Sequence, residues 1–302
     1  MSIAVGTMVR GNGAKAPERL ERLFDGGFEC YQIHWWAGLG GERVEETARR
    51  VRDLLAAAPA TADGTRPFVS ALGLYGNPLR PDAEGDEARR SVEALIRGAG
   101  GFGCRIVGLF TGRRPGRPWE ESLDAFRRVF GEFCRLAVDH GVVLAMENCP
   151  MDGDEASGDW NLAFGPEQWT RLYEALPREA EDVLGLEWEP AHQLLRGREP
   201  LPQLAEWAGR IVHVHGKDAA PGPDGAWHQT LPGNGGTAWD AVFRALGEAG
   251  FRGSVDIEGY HDPQWSGADE IPGQIRSAAY LRSCRDGTRA GPSWAAQGDD
   301  ER

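Results

Sequence analysis

Eight short apolar segments recur along this chain of 302 residues, with amphipathic stretches between them. Each segment has the length of a β-strand, is rich in β-branched or aromatic residues, and is bounded by Gly, Pro or Asn. The segments cover residues 2–8, 28–35, 67–74, 104–110, 142–148, 183–189, 210–216 and 254–260. Apolar residues spaced at i, i+3, i+4 and i+7 predict helices over residues 17–25, 42–58, 122–140, 167–176, 238–250 and 271–284.

Alternating strands and helices predict parallel strands joined by right-handed crossovers. Eight such units favour one closed (β/α)8 barrel, which needs roughly 250 residues, over an open doubly wound sheet. The first predicted strand also lacks the GxGxxG turn of a dinucleotide-binding fold. We therefore expect an α/β TIM barrel over residues 1–284, with its site at the C-terminal face, and a mobile polar tail over residues 285–302.

The charge and the apolar pattern argue against two classes of protein. The chain has 33 Lys+Arg and 46 Asp+Glu residues, a net charge of −13, whereas contacts to nucleic-acid phosphates need a basic face. The sequence contains neither a run of 18 apolar residues nor a signal-like apolar segment after a basic start. We expect a cytoplasmic protein that binds neither nucleic acid nor a membrane. Its five scattered cysteines have no CxxC spacing, so a disulfide framework or thiolate zinc site is not indicated.

Ionisable residues end the last four predicted strands. Because side chains alternate along a strand, the last inward positions of strands five to eight are Glu147, Glu189, His215 and Glu258. Burying such acids without a counter-charge costs several kcal/mol each, and a divalent cation would remove the conflict. Oxygen-rich ligation with one nitrogen suits Mn²⁺ best, with Mg²⁺ or Co²⁺ as alternatives.

A second polar set, Glu187, His213 and Asp256, lies one layer deeper in the same predicted strands. One interpretation is that the assignment of inward positions is wrong by one residue. The other, which we favour, is that these side chains hydrogen-bond the ligands and hold their orientation.

Other residues are candidates for substrate contacts. His34 and Trp36 end the second predicted strand, where they could stack on a sugar ring or simply pack in the core. Arg113 could bind a phosphate, or be a solvated loop arginine. His228 lies in the long loop after the seventh strand, residues 216–237, and is a candidate lid contact.

Five motifs, in this order, resemble the xylose-isomerase-like TIM barrels, which are often labelled sugar phosphate isomerases/epimerases. They are MENCPM, LGLEWEPAHQL, VHVHGKDA, LPGNGGTAWDAVFRAL and SVDIEGYHDPQW, within roughly residues 66–284. The resemblance implies that Glu147, Glu189, His215 and Glu258 bind the metal and that Glu147 and Glu258 also act as an acid/base pair. Glu189 stands where the family usually has Asp, so its direct ligation is an open question. His192 is expected to contact substrate, and Lys217 either to bind an oxyanion or to pair with Asp218.

The activity that this resemblance implies is isomerisation or epimerisation of a sugar or polyol, by proton abstraction beside a carbonyl through an enediolate. The first alternative is a lyase acting on an oxo-sugar or inosose, like inosose dehydratases or C-glycoside-cleaving enzymes, the latter with a small partner subunit. A DNA-repair endonuclease on the same barrel is disfavoured by the charge and by only seven histidines. A catalytically silent sugar-binding or scaffold protein is the fourth option. The identity of the sugar and the oligomeric state, for which a homo-oligomer is one option, stay open.

Overall fold

A computed structural model describes residues 3–11, 15–61, 64–223, 225–259, 262 and 264–288. Its strands are β1 (Ala4–Arg10), β2 (Cys30–Trp36), β3 (Phe68–Tyr75), β4 (Ile106–Leu109), β5 (Val143–Glu147), β6 (Leu184–Trp188), β7 (Ile211–Gly216), β8 (Asp218–Pro221), β9 (Trp227–Thr230) and β10 (Ser254–Ile257). Within these ranges, eight strands form a closed barrel in the order β1-β10-β7-β6-β5-β4-β3-β2. Neighbouring barrel strands are parallel throughout. The predicted (β/α)8 barrel and its eight strands are confirmed.

Helices surround the barrel and cover its outer face. They are α1 (Ala16–Glu21), α2 (Val44–Ala57), α3 (Ala83–Gly98), α4 (Leu123–His140), α5 (Pro166–Glu174), α6 (Ala191–Leu194), α7 (Pro200–Trp207), α8 (Trp239–Glu248) and α9 (Glu270–Arg285). Short 3₁₀ helices cover Phe24–Gly26, Ala99–Phe102, Trp119–Ser122, Arg178–Asp182, Ala208–Arg210 and Gly267–Asp269. Among the described helices, none combines the length and the apolar character that a membrane span requires.

The six helices predicted from periodicity are all present, and α3, α6 and α7 were not predicted. The sequence does carry a signal for α3, because the side chain of Asp82 accepts a hydrogen bond from the Gly85 backbone N–H and caps the helix. Apolar Val92 and Ile96 follow at helical spacing and are buried. By contrast α6 is a single turn, too short to show a period.

Helix α4 shows how the outer layer forms. Its buried side chains include Phe126, Phe130 and Phe133, whose spacing puts them on one face against the barrel. Gly141 ends the helix with a φ of 62°, a left-handed conformation that glycine adopts without steric cost. The chain then enters β5 and leads directly to the candidate site.

The segment 216–237, predicted as a loop, contains the antiparallel hairpin β8–β9. Asp218 fixes its base, because its carboxylate accepts hydrogen bonds from the Thr237 backbone N–H at 3.0 Å and from the Trp239 indole N–H at 3.1 Å. The loop prediction is therefore wrong for this part of the chain. Short strands separated by glycine and proline give no clear alternation in the sequence, which is why they were missed.

The predicted tail from residue 285 begins inside a helix. Arg285 is the last residue of α9, and its Nη1 lies 2.7 Å from Glu29 Oε2 and donates to the Ile3 carbonyl at 2.9 Å. Arg285 therefore joins the C-terminal end of α9 to the start of the barrel. Residues 289–302, the greater part of the predicted tail, lie outside the described residues.

Candidate active site

Four predicted ligands converge at the C-terminal mouth of the barrel. Glu147 ends β5, Glu189 directly follows β6, His215 lies in β7 and Glu258 directly follows β10. One potential ligand atom from each residue lies within 4.8 Å of those of the others. Glu147, Glu189 and His215 are buried and Glu258 is half-buried. We call these four residues the carboxylate cluster.

Contacts at both ring nitrogens orient the imidazole of His215. Its Nδ1 lies 3.2 Å from Glu147 Oε1, and 3.6 Å from carboxylate oxygens of both Glu189 and Glu258. Its Nε2 lies 3.2 Å from Glu187 Oε1. Burial alone would lower the pKa of His215, but the negative charge of Glu187 and the hydrogen bonds to the surrounding carboxylates raise it well above its ordinary value. Nδ1 is thus the nitrogen that faces the cluster.

The deeper polar layer consists of fully buried side chains that contact one another. His213 Nδ1 lies 2.8 Å from Glu187 Oε1, and His213 Nε2 lies 2.5 Å from Asp256 Oδ2. Because Glu187 also contacts His215, this layer holds a candidate ligand from behind. The side-chain alternation was therefore assigned to the correct face, and the deeper set is a support for the cluster.

Two supporting side chains were missed by the sequence analysis. Gln32, on β2, donates a hydrogen bond from Nε2 to Glu187 Oε1 at 2.7 Å. The Tyr75 hydroxyl, at the end of β3, donates to Glu187 Oε2 at 2.9 Å and lies 3.2 Å from His215 Nε2. Gln32 precedes His34 by two residues, so a polar residue at an inward position of the second strand was the available signal.

Lys217 and His192 both contact Glu189. The Lys217 ammonium lies 3.2 Å from Glu189 Oε1 and 3.0 Å from Glu258 Oε1, and His192 Nε2 lies 3.0 Å from Glu189 Oε1. Burial would raise the pKa of Glu189, but the charges of His192 and Lys217 hold it well below its ordinary value. Lys217 thus pairs with two cluster carboxylates and not with Asp218, which is engaged at the hairpin base.

Two asparagines fix the backbone beneath the cluster. The Asn148 side chain accepts a hydrogen bond from the Glu189 backbone N–H at 2.6 Å and donates one to the Glu189 carbonyl at 2.9 Å. Asn161 donates from Nδ2 to the Glu147 carbonyl at 2.8 Å. Asn148 ties the end of β5 to the backbone after β6, and Asn161 ties the end of β5 to Thr111 after β4, so the carboxylates of Glu147 and Glu189 start from a rigid frame.

The donor set fits a divalent cation. Both carboxylate oxygens of Glu189 are buried without a hydrogen-bond partner; His192 and Lys217 form ion pairs with Oε1, and His215 Nδ1 lies 3.6 Å from Oε2. Burial raises the pKa of Glu147 to about 7, against the opposing effect of His215. Charges gathered at this density cost several kcal/mol each unless they are paired or coordinate a metal. Carboxylate oxygens with one imidazole nitrogen suit a hard or borderline ion such as Mg²⁺ or Mn²⁺.

The cluster opens into a cavity of about 770 Å³. Seven of the predicted site residues line it: Glu147, Glu258, His215, Lys217, His192, His34 and Trp36. Glu189 lies beneath this surface, fully buried. Burial also lowers the pKa of His34 to about 3, so this imidazole is neutral in the folded protein.

Two predicted substrate contacts lie elsewhere. The buried Arg113 guanidinium donates to the backbone carbonyls of Arg117, at 2.8 Å from Nη2, and of Asp154 and Glu155. Arg113 is therefore neither solvated nor directed at the cavity, and it joins two loops. His228 is exposed on β9 and does not line the cavity.

Residues 20–284 match the family model described as xylose isomerase-like TIM barrel. The match covers most of the chain, and the chain belongs to this family. The sequence resemblance stated from the strand-end motifs is confirmed.

Individual relatives and solved structures are similar to the chain at low identity. The chain is 26% identical over 225 residues to the uncharacterized protein YfiH of Bacillus subtilis (strain 168), covering 63% of this chain and 70% of YfiH. The structure of 3-keto-D-glucoside 4-epimerase YcjR from E. coli aligns with a TM-score of 0.67 at 15% identity, covering 93% of this chain and all 100% of YcjR.

Two further solved structures align over most of their length. A xylose isomerase-like TIM barrel protein from Mycobacterium smegmatis, in complex with magnesium, gives a TM-score of 0.63 at 19% identity and covers 91% of this chain and 89% of that one. The structure of the probable 3-DHS dehydratase AsbF from Bacillus anthracis gives a TM-score of 0.61 at 13% identity, and the alignment covers 92% of this chain and 99% of AsbF. At these identities the likeness establishes a common fold, on which unrelated reactions can be built.

Proposed function

We propose that the protein is a divalent-metal-dependent isomerase or epimerase of a sugar or polyol, which transfers a proton at a carbon beside a carbonyl. The observation that carries this proposal is the carboxylate cluster, whose ligand atoms lie within 4.8 Å of one another at the mouth of the barrel. Membership of the xylose isomerase-like family supports it.

Glu147 and Glu258 are the proposed acid/base pair. They come from the ends of β5 and β10, which flank β6 and β7 in the barrel, so the two carboxylates reach the cavity from the two ends of a four-strand arc. One would remove the proton and the other would return it. A bound divalent cation, Mn²⁺ in our proposal with Mg²⁺ or Co²⁺ as alternatives, would polarise the carbonyl and acidify the neighbouring C–H bond.

Neighbouring side chains would bind and orient the substrate. Lys217 and His192 line the cavity and offer N–H donors beside Glu189, where substrate oxygens would lie. His34 is neutral and buried at the opposite wall, so it can donate or accept a hydrogen bond without bringing a charge. Arg113 and His228 are not part of this proposal, because neither lines the cavity.

A lyase is the second candidate, favoured by the fold shared with the probable dehydratase AsbF. The same pair of carboxylates would eliminate a substituent if the substrate carried a leaving group on the carbon next to the carbanion. The two outcomes differ in whether a substituent is released. If that substituent were carbon-linked to the sugar, we would expect a small partner subunit.

The test combines metal analysis with hydrogen exchange. Purified protein is assayed for bound divalent metal, then incubated with candidate keto- and aldo-sugars in D₂O. We expect deuterium at a sugar carbon, lost in Glu147→Gln and Glu258→Gln and retained in Glu174→Gln, an exposed carboxylate on α5. Release of water or an aglycone would identify the lyase. Protein that binds no divalent metal at micromolar concentration would overturn the proposal.

A further inference from the structure

Arg196 lines the cavity from the turn that follows α6, and the sequence analysis did not single it out. The residue is half-buried. The carbon of its guanidinium lies 4.9 Å from the centroid of the Phe164 ring, and Phe164 is itself buried. A guanidinium that stacks on a fixed aromatic ring gives up part of its freedom to move. Arg196 is therefore held at the cavity wall.

Among the described residues, the Arg196 guanidinium has neither a hydrogen-bond partner nor an ion-pair partner. The charge of Asp154 acts on it only from beyond the distance of an ion pair. Burial and the like charge of Arg198 both lower the pKa of Arg196. Leaving a partly desolvated cation without a counter-ion costs free energy, and an anion bound in the cavity would offset that cost.

The other Arg and Lys side chains lining the described cavity are in a different situation. Lys217 pairs with carboxylate oxygens of Glu189 and Glu258. Arg10 ends β1, three strands away from β6 in the order of the barrel, and makes contacts of its own. Of these three cations, Arg196 is thus the one whose N–H donors are available to a ligand.

His192 and Arg196 measure the distance from the carboxylate cluster to this cation. His192 Nε2 lies 3.0 Å from Glu189 Oε1 and so marks the cluster. Arg196 comes four residues later, and the hydrogen bond from its backbone N–H to the Gln193 carbonyl, at 3.0 Å, continues the turn of α6. Side chains four residues apart in a helical turn start about 6 Å from one another. An extended chain of six carbons, which is also about 6 Å long, would reach from the cluster to Arg196.

A single available guanidinium suits a carboxylate better than a phosphate. Its planar fork matches the two oxygens of a carboxylate in a bidentate pair. A phosphate dianion is usually held by several donors, such as further cations or the N–H groups at the start of a helix. Because Lys217 and Arg10 make other contacts, the cavity matches one additional negative charge better than two.

We propose that the substrate is a sugar acid, whose carboxylate pairs with Arg196 while its carbonyl end lies at the carboxylate cluster. This inference rests on the proposed function, since it assumes that the cluster takes the carbonyl end. A uronate such as D-glucuronate has the required groups, because its open-chain form carries an aldehyde beside a C–H bond at one end and a carboxylate at the other. The proton is transferred between the first two carbons, and no group leaves. Arg196 is then the residue that selects an anionic sugar over a neutral one.

The test compares sugars that differ only at the sixth carbon. Binding of D-glucuronate, D-glucose and D-glucose 6-phosphate to the Mg²⁺-loaded protein is measured by titration calorimetry. We expect D-glucuronate to bind about tenfold tighter than D-glucose or more, and tighter than the phosphate ester. The preference over D-glucose should disappear in Arg196→Gln. Arg196→Lys should keep part of it, because an ammonium retains the charge but not the planar fork.

Two matched variants remove a different arginine. Arg198 is exposed and does not line the cavity, whereas Arg10 lines it at a distance from α6. Both Arg198→Gln and Arg10→Gln should keep the preference for D-glucuronate. The unfolding midpoint of each variant shows that it is folded.

Equal affinity for D-glucuronate and D-glucose, or no binding of D-glucuronate at about 10 mM, would overturn this inference. So would tighter binding of D-glucose 6-phosphate, or a preference that survives Arg196→Gln or is lost in Arg10→Gln. The failure of the proposed function has a different signature. Protein with an Arg196-dependent preference for D-glucuronate that exchanges no deuterium with any sugar would retain the carboxylate contact and lose the proposed reaction.

Discussion

Oε1 of Glu187 lies 3.2 Å from Nε2 of His215, and this contact leaves Nδ1 of the same ring facing three other carboxylates. A carboxylate behind an imidazole fixes which nitrogen carries the proton and increases the basicity of the other. In the proposed metal site, Glu187 would therefore orient His215 toward the cation without lining the cavity itself.

Glu187→Gln is therefore expected to weaken divalent metal binding by about 10- to 100-fold. The amide keeps the shape of the side chain but removes the charge that orients the His215 ring. Titration calorimetry with Mn²⁺ measures the change. Asp256→Asn is the matched control, because Asp256 is equally buried and its carboxylate lies 2.5 Å from Nε2 of His213, the other histidine of β7. Equal losses in the two variants would contradict the assigned role of Glu187.

Lys217→Met tests whether the ammonium competes with the metal. Lys217 lies 3.2 Å and 3.0 Å from oxygens of Glu189 and Glu258, so it neutralises carboxylates that a cation would otherwise use. We expect Mn²⁺ to bind about tenfold tighter. The metal-free protein should lose about 3 kcal/mol in its free energy of unfolding, because buried carboxylates lose their partner.

The readout for Lys217 is the rise in the unfolding midpoint on adding Mn²⁺, which should be larger in Lys217→Met than in the wild type. Lys15, an exposed residue before α1, provides the control substitution Lys15→Met, which should behave as wild type. Weaker metal binding by Lys217→Met would show that the ammonium supports the metal site.

Arg113 is expected to stabilise the fold without contributing to ligand binding. Its guanidinium bonds to carbonyls of both the β4 loop and the β5 loop, so Arg113→Met should lower the free energy of unfolding by about 2–3 kcal/mol. Arg114→Met, an exposed neighbour, should cost less than about 0.5 kcal/mol. Urea unfolding measures both. A phosphate-binding defect in folded Arg113→Met would restore the role first expected from the sequence.

His34 should make the metal-free protein less stable in acid. Burial lowers the pKa of His34 to about 3 from 6.5, so below pH 6.5 the unfolded chain binds a proton that the folded protein does not. The contribution of His34 to the free energy of unfolding therefore falls as the pH falls, by about 1.4 kcal/mol per pH unit. His34→Gln should show a shallower decline between about pH 6.5 and pH 5, measured by urea unfolding with a chelator present. The control is His140→Gln, at an exposed position, which should show the same pH dependence of the free energy of unfolding as the wild type. An unchanged pH dependence in His34→Gln would refute the lowered pKa of His34.

The fold and the convergence of the carboxylate cluster were largely readable from the sequence. Eight apolar segments separated by amphipathic stretches predict parallel strands, because parallel strands need crossover connections, and eight such units favour a closed barrel. The period of two along each strand then fixes which residues share a face, so Glu147, Glu189, His215 and Glu258 could be placed together before any coordinates. These residues form a cluster because their strands are neighbours in the barrel, in the order β10, β7, β6 and β5.

The remaining assignments required the tertiary structure, because they depend on contacts between segments far apart in the chain. Gln32 and Tyr75 reach Glu187 from β2 and β3, which no local spacing reveals. From the sequence Arg113 could bind a phosphate or be a solvated loop arginine, and only the position of the Asp154 and Glu155 carbonyls shows that its donors are already occupied. Sequence periodicity determines which way a side chain points from its strand. What that side chain meets is decided by packing across the barrel, and so the contacts of Trp36 with Phe110 and Trp160 became visible only in three dimensions.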